Sequence, residues 1–125
     1  MLNILLIFIG SGCGGILRYW IFSFAEDSLG RHFPYGTLFI NVSGCFLMGF
    51  LFILLLKRMD NTGSLLSAFL LIGFLGGYTT FSTFSIETFK LFENGDFLTG
   101  FINILLSITL CIFGTWFGII AAKHL

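Results

Sequence analysis

The sequence predicts an all-α integral membrane protein with four transmembrane helices, the third broken mid-membrane. Three observations support this. Hydrophobic residues make up 57% of the chain and charged residues only 10%, whereas a soluble domain carries about 25% charged residues. The stretches 1–17, 33–56, 61–86 and 97–122 contain no Asp, Glu, Lys or Arg. About 20 mainly apolar residues cross the hydrocarbon core as a helix; three stretches exceed that, and the first reaches it once Arg18 is placed near its end. Lipid offers backbone groups no partners, so only helices or closed barrels cross it. Runs of 24–26 uncharged residues are too long for barrel strands of about 9–11 residues, and they lack alternation.

Helix one is expected over residues 2–24. A cleaved signal peptide is the competing reading, because Ser23-Phe24-Ala25 resembles a cleavage site. The segment has no basic start, its apolar run is long and Arg18 comes late, which favours an uncleaved helix. The polar stretch Glu26 to Tyr35 follows, with Pro34 suited to lead into a helix. Helix two is expected over 37–56, and Lys57 to Gly63 reads as a short turn. Helix three spans 65–92, Glu93-Asn-Gly-Asp96 forms a tight turn, and helix four spans 97–122. The whole of 1–125 reads as a single transmembrane domain.

Small residues recur at helix-packing spacing in Gly10-x-x-x-Gly14, Gly114-x-x-x-Gly118 and Gly118-x-x-x-Ala122, where backbones approach closely in lipid. That packing is equally compatible with contacts within one chain and between chains. Cys13, Cys45 and Cys111 are odd in number and lie inside the spans, which argues against a disulfide framework; they read as small packing residues. Zero formal net charge gives no electrostatic case for a nucleic-acid partner. Lys57, Arg58 and Lys123 fall on one side of the membrane; Arg31, Lys90 and nearby Arg18 fall on the other. An even tally does little to fix orientation. It allows insertion both ways up and an antiparallel dimer, or a weak bias resolved by the free N-terminus.

The segment Gly73 to Glu87 carries the chemistry. Gly76 and Gly77, followed by β-branched Thr79 and Thr80, are poor material for a continuous helix. They sit near the middle of a 26-residue uncharged run. A break there frees carbonyls, which lipid tolerates only where protein, water or an ion meets them, and carbonyls suit a small cation. A kink with back-bonded hydroxyls is the plainer alternative. Thr79, Thr83 and Glu87 at i, i+4 spacing share one stripe, Phe81 and Phe84 another, and Ser82 and Ser85 a third. Phe81 and Phe84 fit ordinary core or lipid contact in a chain with 18 Phe, or an anion met by positive ring edges. Asn41, one turn into helix two, offers two amide donors. Asn103, Ser107, Cys111 and Thr115 lie on one face of helix four, placed either for interhelical hydrogen bonds or for lining a polar track. Glu87 is the one acid inside a span, a functional position by default, unless it pairs with Lys90 at i+3.

Gly10-Ser-Gly-Cys-Gly-Gly15 fits G-x-G-x-x-G, but the soluble βαβ unit and following acid of a dinucleotide site are missing. His32 and His124 lie outside the spans and show no metal-ligand spacing. No nucleophile–base pair is evident. An enzyme is not expected.

The residues Gly14-Gly15-x-x-Arg18, Pro34 through Asn41 to Gly44, and Gly76-Gly-Tyr-Thr-Thr-Phe-Ser-Thr-Phe-Ser85 followed by Glu87 resemble the small bacterial fluoride channels, also called camphor-resistance CrcB proteins. The likeness runs nearly the whole chain. It implies a multi-pass protein of the bacterial cell membrane, a fluoride-specific channel exporting fluoride passively. It further implies an antiparallel dual-topology homodimer with two pores and a central structural sodium ion on the backbone carbonyls of Gly76 and Thr79. By the same resemblance Phe81 and Phe84 line each pore, and Asn41 donates at its wide mouth. Ser82, Thr83 and Glu87 form a polar track, with Ser107 and Thr115 nearby, and Arg18 lies near the vestibule. The competing reading is a proton-coupled transporter of small multidrug type using Glu87, which would favour an acid in helix one, where there is none. A non-transporting scaffold would not need a broken helix with a polar stripe.

Overall fold

The computed structural model describes residues 1–56 and 61–125. The described residues are helical apart from short connections. Helix α1 runs Leu2–Leu29 and α2 Tyr35–Leu56. Helix α3 starts as Asn61–Ser67, widens into a π-helical stretch Ala68–Leu75 and closes with the turn Gly76–Tyr78. Helix α4 covers Phe81–Glu93 and α5 covers Phe97–Lys123. Four helical segments are long and apolar enough to cross a membrane, with 62–93 counted as one. Even the shortest, at 22 residues, extends about 33 Å at roughly 1.5 Å per residue, against a hydrocarbon core of about 30 Å.

The ends follow local chemistry. Helix α1 continues past the expected boundary to Leu29, taking Glu26 and Asp27 into its final turn, and stops at Gly30 with φ 79°, a conformation that suits glycine. An Arg31–Glu26 ion pair at 3.1 Å holds the exit. The Pro34 carbonyl accepts from the Leu38 N–H at 3.1 Å, so proline leads into α2 without a lost donor. The α4–α5 turn places Gly95 at φ 79°, and Asp96 caps α5 by accepting from the Thr99 N–H at 3.2 Å. Lys57 and Arg58, part of the predicted turn and charge tally, lie outside the described residues.

The helices meet along glycine seams. The most extensive packing joins α2 to α5, and α1 to the π-helical part of α3. A Cβ at Gly10 would strike the Phe69 carbonyl, one at Gly14 the Phe74 carbonyl, and one at Gly77 the Ser11 backbone. On the other seam, a Cβ at Gly49 would strike the Thr115 carbonyl and one at Gly118 the Phe46 carbonyl. The small-residue motifs therefore pack within the chain. Lipid tails are as apolar as leucine, so backbone proximity rather than burial of oil drives such contacts. Between the seams a small core of Ile40, Leu75 and Tyr78 is buried, and the Tyr78 hydroxyl shares a hydrogen bond with Ser43 Oγ at 2.9 Å.

Replacing Gly118 by Leu should push α5 from α2 and cost about 1–3 kcal/mol, the usual penalty for overpacking. Unfolding titrations in mixed micelles measure this; an unchanged midpoint would mean the seam is slack.

Candidate functional site

The third span is interrupted at Thr79 and Thr80. Thr79 has φ −81° and ψ 157°, and Thr80 has φ −153° and ψ 117°, both extended. Gly76, by contrast, is helical at φ −64° and ψ −37°. The glycine pair, expected to be part of the break, instead continues the helix, and Gly77 permits close approach to α1. What breaks the helix comes from elsewhere in the chain. Asn41 Nδ2 donates to the Thr80 carbonyl at 2.9 Å, and Asn41 Oδ1 accepts from the Thr80 N–H at 2.8 Å. A side-chain amide thus pairs with one residue's backbone as a neighbouring strand would. With its N–H turned to Asn41, Thr80 does not close a helical bond onto the Gly76 carbonyl.

The hydroxyl of Thr80 then starts the next helix. Its Oγ1 accepts from the Thr83 N–H at 3.2 Å and donates to Thr83 Oγ1 at 3.0 Å, an N-cap, with Ser82 Oγ at 3.2 Å. Thr79 Oγ1 donates back to the Leu75 carbonyl at 2.9 Å. The Thr79 carbonyl accepts from Arg18 Nη1 at a long 3.5 Å.

Three spaces surround this break. A groove of about 320 Å³ is lined by Asn41, Cys45, Thr79, Thr80, Phe81, Phe84, Ser107 and Cys111 among others. The Phe81 and Phe84 rings stand 5.5 Å apart, inclined at 48°; Phe84 is buried, whereas Phe81 is 78% exposed. A smaller pocket of about 160 Å³ brings together Arg18, Thr37, Thr80 and Thr83. A polar cavity of about 420 Å³ at the α1–α2 connection includes Arg31, His32, Thr83, Glu87 and Lys90. Glu87 Oε1 accepts from Thr37 Oγ1 at 2.9 Å, and its Oε2 is buried without a partner among the described residues. The Lys90 pairing considered from sequence is not what holds it.

The extended residues also correct the proposed stripe of Thr79, Thr83 and Glu87. Helical i, i+4 spacing fails across the break, so Thr79 lines the aromatic groove while Thr83 and Glu87 line the polar cavity. On α5 the four-residue series divides. Asn103, 1% exposed, donates from Nδ2 to Thr88 Oγ1 at 2.8 Å and accepts from Ser107 Oγ at 3.4 Å. Thr88 Oγ1 in turn donates to the Phe84 carbonyl at 2.8 Å. This chain of bonds ties α5 to the backbone of the aromatic pair. Ser107 reaches the groove, but Thr115 is bonded to the Cys111 carbonyl at 3.1 Å and lines none of these spaces. Cys13 is exposed rather than packed, and all three thiols are free.

The family model described as CrcB-like protein, camphor resistance (CrcB), matches residues 5–119. The chain belongs to the CrcB family. It is 49% identical over 124 residues to a fluoride-specific ion channel FluC of Coxiella burnetii, covering 99% of this chain and 100% of that protein. It is 46% identical over 125 residues to a FluC of Geobacter metallireducens, covering both chains fully at 100%. A FluC of Methylococcus capsulatus is 47% identical over 99% of this chain, which spans 54% of that longer protein. An ion channel family accords with the absence of enzyme chemistry expected from the sequence.

Within this CrcB chain, sequence reasoning passed over Thr37 and the capping role of Thr80. A threonine three residues before Thr83, just ahead of a helical run, is a start signal. Nothing local marks Thr37, whose partner lies 50 residues away.

Asn41→Ala should strand both backbone groups of Thr80, at about 1–3 kcal/mol for each buried unsatisfied group, read as a lower unfolding midpoint in micelles. Asn41→Asp keeps the acceptor but sets a carboxylate against the Thr80 carbonyl, and should be at least as damaging. If either variant matches the parent, the amide does not hold the break.

Proposed function

We propose that this chain is a fluoride-specific channel that lowers cytoplasmic fluoride by passive export across the bacterial cell membrane. The observation that carries the reading is its end-to-end similarity to relatives named fluoride-specific ion channels. The geometry of the groove supports it. Fluoride is small and strongly hydrated, so a pore must replace water with many donors. Phenyl edges carry partial positive charge, and Phe81 and Phe84 stand together beside Asn41 and Ser107. Asn41 spends one amide hydrogen on Thr80, which leaves a second for an ion at the mouth. Ser82, Thr83 and Glu87 continue the polar track. Fluoride enters as the uncharged weak acid and ionises inside; the membrane potential, about 2.3 kcal/mol per charge per 100 mV, then drives the anion out.

The working unit in this reading is an antiparallel dual-topology homodimer with two pores. Phe81 is 78% exposed on a single chain and Gly76 is also exposed, which leaves the groove open on the side a second copy would cover. The break lies at the bilayer midplane. The carbonyls of Gly76 and Thr79 fit a sodium ion. Both are hard oxygen donors, and the Gly76 oxygen is left without its helical N–H because Thr80 turns to Asn41. A bound sodium would supply positive charge to carbonyls that lipid cannot satisfy; Arg18, near the vestibule with its Nη1 3.5 Å from the Thr79 carbonyl, competes for that one oxygen.

In liposomes loaded with fluoride, the purified protein should pass fluoride down a voltage gradient without a proton gradient and largely exclude chloride. Strict proton coupling would overturn the reading. Phe81→Ile or Phe84→Ile should slow efflux about tenfold, the equivalent of roughly 1.4 kcal/mol, while the assembly stays folded. Unchanged efflux would remove the rings from the pore.

A further inference from the structure

Two thiols from different helices have no part in the mechanism above. Cys45 on α2 and Cys111 on α5 both line the groove that holds Asn41, Phe81 and Phe84. Both are free and half-buried, whereas Cys13 is free and exposed on α1. The α2–α5 seam brings their two helices together. A Cβ at Gly114 would lie 3.1 Å from the Val42 carbonyl, and one at Gly118 would lie 2.9 Å from the Phe50 nitrogen. The backbones are close along this seam and both side chains line the same groove, so the two thiols are neighbours across it.

We propose that Cys45 and Cys111 form a two-coordinate site for a soft, thiophilic d10 cation such as Hg2+, and that filling it obstructs the groove. Sulfur ligands select soft metals over hard ones, and filled-shell cations of this class favour two ligands placed opposite one another. Two free thiols on neighbouring helices, reached through one open groove, offer both sulfur ligands without a third, their side chains turning to take up positions on either side of the metal. The groove is mostly apolar, so a neutral mercury dichloride enters it more readily than a hydrated cation. Binding breaks two S–H bonds and two Hg–Cl bonds, forms two Hg–S bonds and releases two protons and two chlorides. No oxidation state changes and no co-reactant is needed. The metal would then sit beside Phe81 and Phe84, in the path assigned to fluoride; the obstruction rests on the fluoride reading, whereas the binding does not.

The test uses the full chain, purified, treated with mercury dichloride and dialysed against a competing monothiol, with bound mercury measured by mass spectrometry. The parent protein should retain one mercury per chain. Cys45→Ser and Cys111→Ser should each weaken retention about a hundredfold, because the second Hg–S bond is then no longer intramolecular; Cys13→Ser should retain it as the parent does. Cys45→Ala and Cys111→Ala repeat the measurement where serine disturbs folding. In fluoride-loaded liposomes, mercury should slow efflux through the parent and through Cys13→Ser, spare Cys45→Ser, and be reversed by dithiothreitol. Equal retention by the Cys45 and Cys111 variants, or loss on changing Cys13 alone, overturns the site. Full retention with undiminished efflux overturns the obstruction. Protein that passes no fluoride even without mercury counts against the channel reading, and retention still decides the site.

Discussion

An extended peptide in the middle of an apolar helix has to find hydrogen-bond partners, because lipid supplies none. In this chain the partner is one carboxamide. Asn41 engages both backbone groups of Thr80, and much else at the site follows from that bracket. The Thr80 N–H is diverted from Gly76, a fresh helix can begin at Phe81, and Thr80 Oγ1 becomes free to cap it. Phe81 and Phe84 are thereby presented from the first turn of a new helix rather than from the interior of an old one. Hydrophobic burial could not achieve this positioning, since it has no direction.

Ordinary cores are built from large side chains; this one is built largely from missing ones. Gly10, Gly14, Gly77, Gly49 and Gly118 each sit where a single Cβ would run into the backbone of a neighbouring helix. Large apolar residues such as Phe8, Trp20, Phe101 and Phe113 point outward. In water that distribution would be a defect. In a bilayer it is the stable arrangement, because helix association draws on close contact rather than on escape from solvent.

The spans were legible because charge is so costly in hydrocarbon that its gaps alone mark out the helices. The family was legible because the Gly76 to Ser85 string is distinctive. The location of the break was less so. Local propensity points to Gly76, Gly77, Thr79 and Thr80 together; the threonines are extended while the glycines stay helical, and the backbone groups of Thr80 are met by a residue 39 positions away. The same limit explains the divided stripe and Thr115. Periodicity assumes one uninterrupted helix, and a hydroxyl at the right spacing can still bond its own backbone. Glu87 was visible as an oddity, but its partner Thr37 belongs to another helix.

The two glycine seams divide the bundle mechanically. Helix α1 is zipped to α3, and α2 is zipped to α5, while less packing runs between the pairs. Asn41 and Thr80 belong to opposite pairs, so their amide bracket spans the dividing plane. Shear of one zipped pair past the other would load this bracket together with the Ser43–Tyr78 and Thr37–Glu87 hydrogen bonds, which cross the same plane.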